Sequence, residues 1–442
     1  MIQPPTNTKR SRGLGLWLCT ALVVGNMIGS GVFLLPSSLA PFGGISIVGW
    51  LVSTGGALCL ALVFARLGGF LPKLGGPYAY ARYGFGDFGG FLVAWAYWIS
   101  MWTTNAALAV AFISYMTVFW PALATTPALA AGMGIGSLWL LTGVNAVGVR
   151  TAGLVQLVTT ILKILPLIAI GTLGLLFFNA DHFVPFNPSG QSAIGAVSAT
   201  VTLTLWAFLG LESGTVPAAD IRDPERTMPR ATLLGTLIAA SVYILGTVAV
   251  MGIIAPASLA NSTAPYADAA RTIWGPWGRY LLGAGAAISC FGALNGWVLL
   301  SGQLPRAAAL DGLLPKPFTR LSGRGTPVFG LVVSSIIATF LISMNFTRGL
   351  VGAFTFLILL ATLATLVPYV FSSMTDLLVA IRQRATRRMF RPATVAAAAF
   401  GYSLWAVVGS GRDAVYWGFL LLLAGLPVYV WMTWRLKPEV ES

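Results

Sequence analysis

Twelve runs of apolar residues follow one another along the chain, each long enough to cross about 30 Å of hydrocarbon. They lie near 14–40, 45–70, 88–120, 128–148, 152–178, 193–218, 230–255, 273–304, 327–345, 349–379, 393–410 and 414–434. Polar and basic residues gather in the short segments between them. The pattern predicts an all-α polytopic membrane protein with twelve transmembrane helices. The runs at 88–120 and 273–304 are longer than a perpendicular crossing needs, so they should tilt or project beyond the bilayer. The longest connections, near 179–192 and 256–272, are too short to fold alone, so residues 1–442 are expected to form a single transmembrane domain.

Two of the runs are interrupted. In the first, Gly25-Asn26-Met27-Ile28-Gly29-Ser30-Gly31 sits at mid-membrane depth. Backbone polar groups in hydrocarbon need partners, so such a stretch makes sense where the chain faces a cavity or a ligand. A broken helix offers its two ends to a solute, and the positive N-terminal end suits a carboxylate. Close helix packing through small residues is the competing explanation, but it does not call for Asn26, Ser30 and a third glycine. In the sixth run, Trp206-Ala207-Phe208-Leu209-Gly210-Leu211-Glu212-Ser213-Gly214 repeats the theme, Gly210 and Gly214 echoing the spacing of Gly25 and Gly29. The two segments are five spans apart, an odd number, so they cross in opposite directions. That is the sequence sign of a 5+5 inverted repeat with discontinuous first and sixth helices and a site between them. The halves are 14–178 and 193–379, with 393–434 outside the repeat.

Charge orients this arrangement. With the N-terminus inside, twenty-one of the 26 Lys and Arg fall in inner segments and four in outer ones, with Lys163 alone inside a span. An asymmetry of that size places both termini in the cytoplasm. The net charge of +14 is thereby explained mainly as topology, and a nucleic-acid surface is excluded because no basic face on a soluble domain exists to carry it. The cluster from Arg382 to Arg391 also suits anionic lipid headgroups. A composition 57% hydrophobic and 9% charged, with mean hydropathy +0.83, leaves no room for a large soluble domain. Cys19, Cys59 and Cys290 have no paired spacing and read as small core residues. No small-residue cleavage site follows the first run, so a cleaved leader is not expected.

Candidate chemistry is sparse. There is no phosphate-binding loop, no Cys/His cluster and no metal motif, so neither a cofactor, a metal nor an enzyme activity is expected. A channel would show a repeated filter or rings of like side chains, and none is visible. Glu212 is the one carboxylate well inside a span, either a gating or coupling group or an acceptor bracing the broken helix. Lys163 lies about eleven residues, roughly 16 Å, into the fifth span, too deep to snorkel. Two roles are open to it: a proton carrier with a lowered pKa, or a permanently charged strut. Tyr97, Trp206, Trp297 and Tyr369 could gate a cavity or hold a cation by cation–π contact, and Asn105 is a polar group deep in the third span.

The ordered motifs Gly25 to Pro36, Gly75-Gly76-Pro77-Tyr78-Ala79-Tyr80-Ala81-Arg82, Trp206 to Ser213, Asp223-Pro224-Glu225-Arg226, Gly296-Trp297 and Leu366-Val367-Pro368-Tyr369 resemble those of the amino acid–polyamine–organocation superfamily. Within it the chain is most similar to the arginine/agmatine antiporters. The resemblance implies a LeuT-like inverted-repeat fold, often as a homodimer in a bacterial inner membrane, and exchange of an amino acid for its decarboxylated amine. It further implies that backbone around Ile28, Ser30 and Gly31 takes the substrate carboxylate, and backbone near Ala207 and Leu209 the α-amino group. Trp206 would stack on the substrate as a middle gate, and Trp297, Ser100, Met101, Asn105, Leu108 and Ala361 would surround its distal end. Tyr97, Glu212 and Tyr369 would form a gate on the outer side, and Ser301 could face Lys163.

The chain departs from arginine-selective members, which have a cysteine, a methionine and a serine where Met101, Leu108 and Ala361 stand here. Losing the serine removes one hydrogen-bond partner, worth about 0.5–1.5 kcal/mol. Lys163 is the other departure, since the arginine/agmatine antiporters are apolar there while proton-coupled permeases carry a lysine. The expected function is therefore basic amino acid/amine antiport by alternating access. A permease for neutral amino acids, coupled to protons through Lys163 or exchanging, is the alternative, and an amino-acid-gated channel or a non-transporting receptor a remote one.

Overall fold

A computed structural model of the chain describes residues 15–71, 75–147, 164–212, 223–345, 348–382 and 390–435. Lys163, Ser213, Gly214 and most of the basic cluster between Arg382 and Arg391 lie outside the described residues. Every apolar run contains a helix. The first span consists of two, Leu16–Met27 and Gly31–Leu39, and the second is Ile45–Phe70. The third to fifth are Pro77–Met116, Pro127–Val147 and, where described, Ile164–Phe177. Ala193–Phe208, Pro224–Ile253, Pro265–Leu310 and Val328–Asn345 form the sixth to ninth, and Leu350–Arg382, Phe390–Val408 and Arg412–Trp434 the last three. Several begin with proline, whose missing N–H costs nothing in a first turn.

The two overlong spans resolve into bent helices. At 1.5 Å per residue the 40-residue third helix would be about 60 Å long, twice the hydrocarbon thickness. It bends instead at Gly86 (φ 73°, ψ −170°), so Pro77 to Phe85 leave the axis of the crossing helix. The eighth helix does the same at Gly275 (φ 73°, ψ −162°). A positive φ of this kind is strained for any residue with a Cβ. The excess length thus projects as a separate segment, and the two bends, like the two interruptions, stand five spans apart.

Burial sorts the helices. The span of the third is 89% buried and that of the twelfth only 11%, so the third runs through the middle of the bundle, along the eighth and tenth, while the twelfth lies at its rim. Hydroxyls and amides stitch the interior together, as expected where lipid gives no hydrophobic drive between helices. Ser53 of the second span donates to the carbonyl of Val201 in the sixth at 3.0 Å. Asn145 of the fourth donates to the side chain of Asn295 in the eighth at 2.9 Å. At one end of the bundle Arg66, closing the second span, clamps buried Asp376 of the tenth and reaches the carbonyl of Pro392 at 3.3 Å. Close by in chain order, Asp311 after the eighth helix accepts from Tyr78 at 2.7 Å and pairs with Arg82 at 2.9 Å. Both clusters flank segments that the basic residues mark as cytoplasmic.

The Asp376 carboxylate is 5% exposed and depends on Arg66 for its charge balance. Removing one member of a buried pair costs about 3–5 kcal/mol, whereas replacing both by apolar groups is near neutral. Arg66→Met should therefore lower the melting temperature in detergent sharply, and Arg66→Met/Asp376→Leu should recover most of the loss.

Candidate functional site

The first helix ends where Ile28 turns extended (φ −73°, ψ 95°), and its second half starts after Ser30. The gap presents carbonyls at the end of Leu16–Met27 and unbonded amides at the start of Gly31–Leu39, opposite partial charges a few residues apart. The sixth helix ends at Phe208, where Leu209 turns extended (φ −63°, ψ 137°). Gly210 follows at φ 101°, which excludes a side chain there without strain. The two breaks touch: a Cβ on Gly31 would stand 2.9 Å from Cδ1 of Trp206 and 3.2 Å from Cα of Ala207.

Between them lies a cavity lined by Met27, Gly29, Ser30, Gly31, Thr104, Leu108, Trp206, Ala207, Leu209 and Trp297. Its free space is about 20 Å³, room for about one water. A solute of several non-hydrogen atoms enters only when the lining side chains move, and Trp206 and Trp297 are the largest of these. A bigger cavity of about 330 Å³ opens between the third, tenth, eleventh and twelfth spans, bounded by Leu92, Leu363, Val367, Val415 and Phe419. It is apolar throughout and offers nothing to orient a polar solute, so the small cavity at the breaks is the candidate site.

Of the residues singled out from the sequence, Ser30, Gly31, Leu108, Trp206, Ala207, Leu209 and Trp297 line this cavity. Ile28, Ser100, Met101, Asn105 and Ala361 are buried and are not among its lining residues. Ser100 is turned back onto its own helix, donating to the carbonyl of Tyr97 at 2.8 Å. Asn105 differs, because both of its amide atoms are buried without a protein partner. Ser30 Oγ and Thr104 Oγ1 share that condition. Thr104 and Met27 are the lining side chains that sequence reasoning did not assign. Thr104 sits one residue before Asn105, and no periodicity tells which of two adjacent threonines faces a cavity.

Glu212 organises the far side of the sixth-span break. Tyr97 donates to Oε1 at 2.6 Å, Tyr369 to Oε2 at 2.8 Å, and the Gly210 N–H to Oε2 at 3.1 Å. One carboxylate thus ties the third and tenth spans to unwound backbone of the sixth. These three residues do come together. Tyr97 precedes Thr104 on a helix leaving the N-terminal side, whereas Glu212 follows Trp206, and Tyr369 follows Ala361, on helices returning to it. Asp376, seven residues beyond Tyr369, pairs with Arg66 at the end leading to Lys73. With the termini cytoplasmic, as the charge pattern predicts, that end would be the inner one, opposite to the side the resemblance implies.

Ser301 lies away from the cavity, donating to the carbonyl of Val298 at 2.7 Å and accepting at its own carbonyl from Ser334 at 3.0 Å. Its expected partner, Lys163, lies outside the described residues. Among the described residues no group of three metal-ligating side chains occurs.

Residues 14–430 match the model of a family described as amino acid permease. The chain is 33% identical over 430 residues to the putrescine transporter PotE of Haemophilus influenzae, covering 96% of this chain and 98% of that one. It is 34% identical over 424 residues to the PotE of Escherichia coli, covering 95% and 96%. A cadaverine/lysine antiporter of Escherichia coli is 35% identical over 368 residues, 82% of each chain.

The packing between the two breaks separates two glycines two residues apart in their tolerance of a methyl group. At Gly31 it collides with Trp206, and overpacking of this kind costs about 1–3 kcal/mol. At Gly29 it meets Ala293 at 3.4 Å, ordinary contact. Gly31→Ala should cut substrate exchange in proteoliposomes at least about tenfold, while Gly29→Ala stays within about twofold of the parent.

Proposed function

The chain belongs to the amino acid permease family, and from that premise we propose that it exchanges a basic amino acid for the corresponding amine by alternating access. Membership makes it a membrane transporter and not an enzyme, and its relatives place it among amino acid and amine carriers. The observation that carries the finer reading is the cavity itself. It has a positive helix end at Gly31 for a carboxylate, and carbonyl ends at Met27 and Phe208 for an amino group. It has two indoles, Trp206 and Trp297, whose faces suit a cation, and among the described residues no charged side chain in its lining.

This reading supplies a role for each part. An α-amino acid would lie with its carboxylate at Ser30 and Gly31 and its α-amino group at the sixth-span backbone near Ala207 and Leu209. Its side chain would run past Trp206 and Trp297. Tyr97, Glu212 and Tyr369 would hold the inner side shut until the sixth-span backbone moves. The breaks in the first and sixth spans and the bends in the third and eighth support a 5+5 inverted repeat of the LeuT-like kind. Arginine with agmatine is the pair suggested by the sequence motifs. Lysine with cadaverine, and putrescine, are suggested by the relatives' substrates. The setting would be a bacterial inner membrane with both termini cytoplasmic. The sparsely buried twelfth span, exposing Tyr416, Phe419, Val430 and Trp434, would face lipid or a second copy of the chain.

Counterflow in proteoliposomes tests the proposal. Vesicles loaded with unlabelled lysine, arginine, cadaverine, putrescine, agmatine or alanine are given labelled lysine, arginine or putrescine outside, with and without a pH gradient. Uptake should require an internal basic amino acid or amine and should cease in empty vesicles. Alanine uptake into empty vesicles driven by the pH gradient overturns the proposal in favour of proton-coupled transport of neutral amino acids.

A further inference from the structure

Buried threonines in this bundle follow a rule. Thr103, Thr142, Thr200, Thr236 and Thr365 each donate to the carbonyl four residues earlier, at 2.8–2.9 Å. This back-bonding is the usual way for a hydroxyl in a helix interior to lose no hydrogen bond. Among the described residues Thr104, Thr247 and Thr362 are buried with no partner for Oγ1. Of these three, only Thr104 lines the cavity between the breaks. The carbonyl it would ordinarily use, that of Ser100, already accepts from Thr103 at 2.9 Å. At 1% exposure, Thr104 therefore lines the cavity while holding a hydroxyl that neither a described residue nor bulk solvent satisfies. An orphan of this kind persists where something else bonds to it.

The chemistry of the lining says what that something is. Ser30, the other orphan hydroxyl of the cavity, sits at the positive start of Gly31–Leu39 and suits a carboxylate. Thr104 stands on an unbroken stretch of the third helix, one turn before Leu108, away from either helix end. Among the described residues no charged side chain shares the cavity with it, so a cation there is met by hydroxyl oxygen and indole faces. An ammonium has three donors, and a guanidinium five in a fixed plane. One hydroxyl in a lining shared with apolar Leu108 serves the ammonium far better.

Building on the transport function proposed above, we propose that Thr104 is a specificity-determining residue whose Oγ1 accepts a hydrogen bond from the terminal primary ammonium of the substrate. It directs the site toward lysine-like amino acids and aliphatic diamines over guanidinium compounds.

The test compares Thr104→Val, which keeps the shape and loses the hydroxyl, with Thr104→Ser, which keeps the hydroxyl, in counterflow with labelled lysine and labelled putrescine. The valine variant should raise KM about tenfold for both while kcat stays within about twofold, as expected for a lost hydrogen bond to a charged group. The serine variant should restore KM to within about threefold of the parent. In the parent, arginine and agmatine should compete at least about tenfold less well than lysine and putrescine, a preference that the valine variant narrows. Thr104→Ala reads the same loss if the valine variant fails to elute as a single species in detergent. An unchanged KM in the hydroxyl-less variants, or a serine variant as weak as valine, overturns the assignment and leaves amine exchange standing. A parent protein that exchanges neither lysine nor putrescine overturns both.

Discussion

A helix that stops inside hydrocarbon leaves N–H and C=O groups with no water to bond, and much of the structure around the site follows from how those groups are accommodated. The first span stops at Ile28 and the sixth at Leu209, and the two stops face each other across a cavity that admits about one water. Past the sixth-span stop, Glu212 takes the Gly210 N–H and is itself held by Tyr97 and Tyr369. A buried carboxylate is costly on its own, but here three donors share it, and the donors come from three different spans. The same group that pays for the break also fastens the third and tenth helices to it.

That arrangement ties site and gate together within seven residues. Trp206 walls the cavity, and Glu212 is bonded to Tyr97 and Tyr369; between them the chain passes from helix through an extended Leu209 and a left-handed Gly210. A short non-helical link cannot absorb a shift of Trp206 without disturbing the carboxylate behind it, because Gly210 donates to that carboxylate directly. Trp206 in turn abuts Gly31 with no room for a methyl group between them. Movement at the first-span break is therefore passed to the sixth-span break by contact, and from there to Tyr97 and Tyr369 by hydrogen bonds. A solute lodged between the breaks acts on both ends of this chain of contacts.

Much of this was legible in the sequence because its causes are local. Apolar run length gives the twelve spans, Gly25 to Gly31 and Gly210 give the breaks, and Glu212 stands out as an intramembrane carboxylate. Counting crossings from a cytoplasmic N-terminus would put Glu212 toward the inner side. What the sequence does not carry is rotation of one helix against another. Ser100, Thr103, Thr104 and Asn105 are four polar residues within two turns, and they meet three fates: Ser100 and Thr103 bond to their own helix, Thr104 lines the cavity, and Asn105 is buried outside its lining. A shift of one residue turns a helix by about 100°, so the choice among them belongs to tertiary packing. The bends at Gly86 and Gly275 were hidden for a related reason, since an apolar run continues through them and only the backbone angles reveal where the crossing begins.

Among the described residues the cavity is lined by no charged side chain. A carboxylate in the lining would bind a substrate ammonium strongly and in every conformation, and a ligand held equally well in all states shifts none of them. Indole faces, a threonine hydroxyl and helix-end carbonyls each offer weaker attraction that depends on geometry. Such partners can be assembled in the closed state and pulled apart in the open ones, so binding free energy appears mainly when the cavity shuts. The single carboxylate nearby, Glu212, is engaged by two tyrosines and the Gly210 amide instead of lining the cavity. A carrier that must release an amine on one side and an amino acid on the other gains more from that weak, conformation-dependent set than from a permanent countercharge.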